Sequence, residues 1–315
     1  MTHWVTLARP LPLPQVMAGG RPVRFLPVES TAQVPPGTLV HCVTSLDRLD
    51  ARAIAALPAS VRLIANIGVG TDAIDHAAAR ARTIALANTP VVTEDTADLA
   101  FALILAACRR LGEGARFLRA GHWTDAGAGP PLSARVHGRS LGLIGFGAIG
   151  QAVARRAQGF AMPVRYWNRT RRPEAETATA AGFEPDLAKL VETSDILSIH
   201  AALTPQTRGL VDARLLAAAR PGAVLVNTAR GGIVDEDALC DALDSGRIGA
   251  AGLDVFDGEP RINPRLLAHP AVVLTPHIGS ATVECRQDMA QRLLANVVTF
   301  LETGAPLDPV AAETP

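Results

Sequence analysis

Three side chains in the later part of the 315-residue chain have types suited to one reaction centre. Arg230, in VNTARGG, offers a permanent cation and a planar donor fork that can grip a carboxylate. His277, in LTPHIGS, can exchange a proton near neutral pH. Glu259, in DVFDGEP, can orient that imidazole and favour its charged form, which would raise its pKa. Each residue alone also has a plain reading. A strand-end arginine makes a surface ion pair, Glu-Pro makes a turn, and a histidine after Thr-Pro bonds a backbone carbonyl.

What makes the three persuasive together is the element set that must carry them. The stretch from Leu141 to Arg172 reads as strand, glycine turn, helix, strand: LGLIGFGAIG, QAVARRAQGFAMPV, RYWNRTRR. In that context Gly145 permits the tight turn, and Gly147 keeps a pyrophosphate close to the backbone. Gly150 lets the helix pack on the strand, and the helix-start N–H groups of Ala148 and Ile149 face phosphates. An NAD-binding unit of this type usually ends its second strand in Asp or Glu, which bonds the ribose 2′-hydroxyl. Here Asn168 stands at that place, 168 − 150 = 18 positions after the last glycine, followed by Arg169, Thr170, Arg171 and Arg172. An acid would repel a 2′-phosphate, whereas an amide, a hydroxyl and guanidinium groups can bond it. The turn therefore favours NADP over NAD; a solvated basic turn is its plain alternative.

Open α/β sheets bind ligands beyond the carboxyl ends of their strands. Further buried-type strands are expected at Ile196–Leu203, Ala223–Ala229, Gly249–Phe256 and Val272–His277. Their ends carry His200, Asn227 to Arg230, Asp254 and His277, beside the Asn168–Thr170 end. Helices are expected at Asp212–Ala219, Asp235–Ser245 and Val283–Thr303. Upstream, VTLA, VRFLPV, LVHCVT, VRLIANIGV and TIALANT alternate with the helical LDRLDARAIAALP and TDAIDHAAARAR, which argues for a second, smaller parallel sheet. Glu94–Leu111 reads as one long apolar helix capped by Thr93. Residues 112–138 look like a connecting arm; Trp123 within it packs on its own domain, lines the substrate pocket or meets another subunit. The last helix returns to the first domain. The expected division is 1–95 with 285–315, and 96–284, with a tail frayed after Pro306.

Composition narrows the class. The chain is 48% hydrophobic and 19% charged, with formal net charge +0, so no long-range field draws it to nucleic acid or an anionic membrane. Cys42, Cys108, Cys240 and Cys285 form no CxxC pair, and no His, Cys or acidic cluster has metal spacing. No apolar run is long enough to span a membrane, and a cytoplasmic location is expected. His3, His41, His76, His122, His137 and His269 read as structural or surface residues.

Seven segments in order make the chain resemble the D-isomer-specific 2-hydroxyacid dehydrogenases over nearly its whole length. They are NIGVGTDAID (66–75), NTPVVTEDTADLA (88–100), LGLIGFGAIG (141–150), LTPQTRGLV (203–211), VNTARGGIVDEDAL (226–239), AGLDVFDGEP (251–260) and LTPHIGSAT (274–282). The resemblance implies a Rossmann domain inserted in a discontinuous flavodoxin-like substrate domain, with the active site in the cleft between them. It implies that His277 protonates the substrate carbonyl oxygen, Glu259 holds that His, and Arg230 binds the carboxylate, helped by the N–H groups of Val69 and Gly70. It also places Thr96, His200, Thr207, Thr228, Ala229, Arg230, Asp254, His277 and Gly279 around the cofactor. WNRT and TEDTADLAF resemble the NADPH-preferring glyoxylate/hydroxypyruvate reductase branch. The implied activity is NADPH-dependent reduction of glyoxylate, hydroxypyruvate or pyruvate to 2-hydroxy acids by a homodimer, its 112–138 arms exchanged between subunits. An NAD-dependent enzyme for a bulkier acid or 3-phosphohydroxypyruvate is the alternative, and a non-catalytic, dinucleotide-sensing corepressor is the rival from another class.

Overall fold

The computed structural model describes residues 2–125, 127, 129 and 131–310. It divides into two compact units: residues 1–92 with 281–315, and residues 93–280. The break at 92/93 keeps the helix Thr93–Cys108 whole within the second unit.

The first unit is built on strands β1 (His3–Leu7), β2 (Val16–Ala18), β3 (Arg21–Pro27), β4 (Val40–Thr44), β5 (Leu63–Ile67) and β6 (Ala85–Ala87). Their order is β2-β3-β1-β4-β5-β6. All neighbours run parallel except β2, which pairs antiparallel with β3. Without β2 the order is the 2-1-3-4-5 of flavodoxin-like sheets. The extra strand is a hairpin whose two linking residues, Gly19 and Gly20, both have positive φ, as a type I′ turn requires. Central strands bury both faces. On β5, Leu63 and Ala65 meet Leu293, Val297 and Phe300 of the helix Val283–Thr303, while Ile64 joins Val43, Ile54 and Ala79 on the other side.

Both helical pieces on that second face are shorter than expected. They run Ala51–Ala56 and His76–Ala81, each started by an aspartate, Asp50 and Asp75, that accepts a first-turn N–H. The frayed tail is a correction as far as residue 310. Asp308 takes both Nε and Nη2 of Arg292, Pro309 bridges Ala87, and Val310 N–H bonds Leu86 O. Residues 311–315 lie outside the described residues.

Among its described residues the second unit holds seven strands, β7 (Leu141–Ile144), β8 (Val164–Trp167), β9 (Gly182–Phe183), β10 (Ile196–Ile199), β11 (Ala223–Asn227), β12 (Ile248–Leu253) and β13 (Val272–Leu274). They are all parallel in the order β13-β12-β11-β10-β7-β8-β9. Renumbered from β7, that is 3-2-1-4-5-6 plus one strand, the doubly wound dinucleotide order with its switch between β7 and β10. Leu141 and Leu143 pack with Ile104 and Val153 on one face, and Ile144, Leu197 and Leu225 fill the other. The arm is partly a correction. Arg110 turns left-handed at φ 53° and ends the first long helix, and Leu111–Arg119 then forms a helix of its own. Its two glycines mask that helix in the sequence.

Candidate active site

The register of the second sheet aligns its strand ends. Ile144 pairs with Trp167 and with Ile199, Ile199 with Asn227, Asn227 with Leu253, and Leu253 with Leu274. The residues one step beyond therefore form a row along the carboxyl edge: Asn168, Gly145, His200, Thr228, Asp254, Thr275. At about 4.8 Å between neighbouring strands the row spans about 24 Å, enough for an extended dinucleotide.

The row fits such a group. Gly145 has φ +99°, and a Cβ there would lie 2.5 Å from Ala201 N. A Cβ on Gly150 would lie 2.6 Å from Gly145 O, so only glycine lets helix Ala148–Gln158 approach this closely. Gly147 is different: a Cβ there would meet nothing, so the turn leaves open space beside its backbone. Gly147 also starts the helix without a side-chain cap, which leaves the first-turn N–H groups of Ala148, Ile149 and Gly150 for a phosphate. Further along, Thr228 Oγ1 and His200 Nδ1 are buried and have no partner among the described residues. Buried polar atoms in native folds are normally bonded, and a ligand laid along this edge supplies what these two lack. Burial pushes the His200 pKa down to about 4, so this imidazole is neutral; its Nε2 shares a 2.9 Å hydrogen bond with Ser198.

At the far end of the row, His277 Nδ1 lies 2.7 Å from Glu259 Oε2, and Phe256 N–H donates to Glu259 Oε1 at 2.9 Å. Burial works against the Glu259 carboxylate, but the bonds from His277 and Phe256 and the charge of Arg230 prevail and hold its pKa below the ordinary value. His277 Nε2 has no partner among the described residues, and its side chain is 31% exposed, so the second ring nitrogen is open to a ligand.

The backbone at His277 is left-handed, φ 52°, a conformation that costs a non-glycine residue about 1 kcal/mol or more. Asp254 holds it. Its carbonyl accepts His277 N–H at 2.8 Å, Oδ1 accepts from Thr275 Oγ1 and Ile278 N, and Oδ2 accepts from Gly279 N. Burial pushes the Asp254 carboxyl up despite these bonds. Its side chain is spent on the His277 loop, a task its sequence position did not disclose. Gly279 packs against Thr96: a Cβ there would come within 3.4 Å of Thr96 Cγ2.

Arg230 is half-buried in the loop after β11, with Nη1 donating to Ala229 O at 2.8 Å. Asn227 shapes that loop from its buried amide, donating to Arg230 O and accepting from Ala229 N. Gly231 fixes where the loop sits, because a Cβ there would be 1.9 Å from Phe256 C. The Arg230 loop and the Glu259 loop thus touch backbone to backbone. Asn227 was singled out in the sequence only as a strand-end polar residue, and Gly231 not at all.

In the first unit, Val69 and Gly70 occupy a loop whose carbonyls are all held from the protein side. Asn66 Nδ2 donates to the oxygens of Gly68 and Gly70, Asn88 Nδ2 to that of Val69, and Ser45 Oγ to that of Gly70. Gly68 N–H donates to Thr89 Oγ1 at 2.8 Å, while the N–H groups of Val69 and Gly70 have no hydrogen-bond partner among the described residues.

Two residues expected at the cofactor also bond within the protein. Thr207 Oγ1 donates to Ala202 O at 2.6 Å and accepts from Thr204 N at 2.8 Å, so its hydroxyl closes its own turn. Asn168 is similarly engaged, Oδ1 accepting from Phe146 N and Nδ2 donating to Thr170 O. It ties the end of β8 to the glycine turn instead of offering a free amide. Arg169 and Thr170 stand exposed beside it.

Over residues 101–279 the chain matches the family model described as D-isomer specific 2-hydroxyacid dehydrogenase, NAD binding domain. A glyoxylate reductase of Thermococcus litoralis is 42% identical over 290 residues, covering 90% of this chain and 86% of the relative. A glyoxylate/hydroxypyruvate reductase of Arabidopsis thaliana is 41% identical over 262 residues, covering 83% and 82%. Among solved structures, an NADPH-dependent glyoxylate/hydroxypyruvate reductase of Sinorhizobium meliloti in complex with NADP and malonate superposes with TM-score 0.87. It is 34% identical, with 99% of this chain and 97% of that one covered. With this sheet order, this glycine turn and these matches, the chain belongs to the D-isomer-specific 2-hydroxyacid dehydrogenases and is an NAD(P)-dependent oxidoreductase.

Proposed function

We propose that the protein reduces small 2-oxo acids, glyoxylate and hydroxypyruvate foremost, to 2-hydroxy acids with NADPH, giving the D form where the product is chiral. The observation that carries this reading is the His277–Glu259 pair, 2.7 Å apart, with the other imidazole nitrogen open. When bound at the strand-end row, the reduced nicotinamide supplies hydride to the substrate carbonyl carbon. His277 starts as the imidazolium and gives its Nε2 proton to the carbonyl oxygen. Glu259 accepts from Nδ1–H, which fixes the ring and stabilises its charged form. Arg230 grips the carboxylate and polarises the keto oxygen, and the N–H groups of Val69 and Gly70 are neutral donors suited to a carboxylate. Asp254 keeps the His277 loop in place. The neutral donors and fixed cation suit a substrate that offers little besides a carboxylate and a ketone or aldehyde.

NADPH is preferred on the strength of Arg169, Thr170 and Arg172, with no acid at the end of β8. Homodimer formation through the 112–138 arm is supported by its uncovered apolar side chains: Leu118 is 56%, Trp123 66% and Leu132 97% exposed.

A panel of 2-oxo acids assayed with NADPH and NADH tests the reading. Glyoxylate or hydroxypyruvate with NADPH should give the highest kcat/KM. Absence of turnover with every acid, or a preference for NADH, would overturn it.

A further inference from the structure

The chain has one tyrosine, and it is fully buried behind the turn that carries Arg169 and Thr170. Tyr166 lies on β8, its ring stacked on Phe146 at 3.8 Å between centroids and 14° between planes. Phe146 is the residue between Gly145 and Gly147, so this stack joins the phosphate turn to the next strand. The opposite side of the Tyr166 ring meets Phe183 at 5.3 Å. A phenylalanine would serve all of this packing. The hydroxyl does something else: it donates to Glu176 Oε1 at 2.6 Å and accepts Arg172 N–H at 2.8 Å. Glu176 in turn holds Arg171 in a bidentate pair, Nε to Oε1 and Nη2 to Oε2, both 2.9 Å. Arg171 also lies over the Phe183 ring. These bonds hold the Glu176 carboxyl down at about 2, so it stays charged.

Three arginines crowd this turn, and they are not equivalent. Arg171 is committed to Glu176. Arg169 and Arg172 have no side-chain partner among the described residues. The turn is pinned at both ends, by Asn168 bonding Phe146 N and Thr170 O, and by Tyr166 bonding Arg172 N–H.

We infer that Tyr166 is a positioning residue for 2′-phosphate recognition, its hydroxyl and Glu176 fixing the Asn168–Arg172 turn so that Arg169 and Arg172 serve the phosphate while Arg171 is withdrawn from it. The inference rests on the NADPH reading above and adds what that reading lacks, a reason why the loop is already shaped before the phosphate arrives. Charge alone would make the three arginines interchangeable; the brace makes one of them structural.

Calorimetric titration of the full-length protein with 2′,5′-ADP and with 5′-AMP tests this without turnover. The wild type should bind 2′,5′-ADP more tightly. Tyr166→Phe should weaken 2′,5′-ADP by about tenfold, the worth of about one buried hydrogen bond in a binding loop, and leave 5′-AMP within about twofold. Equal weakening of both ligands, or of neither, overturns the inference, since a purely structural hydroxyl would not separate them. Arg169→Gln and Arg171→Gln change exposed side chains and so read out the brace even if Tyr166→Phe fails to fold. Arg169→Gln should lose about tenfold for 2′,5′-ADP and Arg171→Gln less than about threefold; equal losses overturn the assignment. A wild type that binds 5′-AMP as tightly as 2′,5′-ADP removes the NADPH reading itself, a result distinct from all of these.

Discussion

Replacing Glu259 by Gln puts a number on the acid–base pair. The carboxylate presents two acceptors, Oε2 to His277 at 2.7 Å and Oε1 to Phe256 N at 2.9 Å. An amide has one acceptor oxygen, so its NH2 group must face one of those two N–H donors. If it faces Phe256, a backbone N–H is orphaned at about 1–3 kcal/mol. That cost falls on the folded loop in every state, so it registers in stability and not in the chemical step. The part that enters the reaction is the charge. A charge-assisted bond is about twice as strong as a neutral one, which leaves the imidazolium about 2 kcal/mol worse off, or about 30-fold in rate.

The assay is kcat/KM for glyoxylate reduction, beside the Kd for NADP. The deficit should appear in kcat/KM. Cofactor affinity should move by less than about twofold. No deficit in kcat/KM, or one expressed as lost NADP binding, would refute Glu259 as the partner that stabilises the charged ring.

Asn168→Asp should shift cofactor preference toward NADH by about 2 kcal/mol, about 30-fold in the NADPH/NADH ratio of kcat/KM. It adds a charge at the 2′ end of the row and sets two oxygens facing each other where Nδ2 now donates to Thr170 O at 2.7 Å; an unchanged ratio would refute the 2′-phosphate argument. In the first unit, burial pushes the His41 pKa from 6.5 down to about 4, with its Nδ1 bonded to Thr6 Oγ1. The fold resists protonating it, so stability is full above about pH 6.5 and drains as pH falls toward 4, by up to about 3 kcal/mol. His41→Asn keeps a polar partner for Thr6 and should flatten the pH slope of urea unfolding by up to about 1.4 kcal/mol per unit in that window. An unaltered slope would show that another group drives the acid loss.

Chain-local chemistry was legible in the sequence. The glycine turn, most of the parallel strands of both sheets and the final helix at Val283–Thr303 follow from residue type and spacing, because a turn or a periodic face is decided within a few residues. Residue type also made Arg230, Glu259 and His277 candidates, and the fold brings Glu259 and His277 to 2.7 Å. What escaped depends on which way a polar group points after distant segments meet. The Thr207 hydroxyl closes its own turn, which its place in LTPQTRGLV does not disclose. Asp254 also takes two backbone N–H groups and the Thr275 hydroxyl, a structural task that its strand-end position does not reveal. Asn66, Asn88 and Ser45 carry no motif at all, yet they turn the Val69–Gly70 loop outward. The β2 hairpin was missed because three residues give too short an alternation, although Gly19-Gly20 is the signal that marks it. Leu111–Arg119 was hidden by glycines that helix propensity penalises and tertiary packing tolerates.

The way the first sheet ends has a colloidal consequence. A chain whose formal charge sums to +0 has no long-range repulsion to keep its copies apart. An open strand edge on such a molecule is a template for edge-to-edge addition and aggregation. Here one flank is closed by the antiparallel three-residue β2, doubled back by its glycine turn, and the other by Pro309 and Val310 lying along β6. Proline adds no donor to that outer rim. Removing residues 306–310 would therefore do more than shorten the chain: it would bare the β6 edge of a protein with little electrostatic defence against self-association.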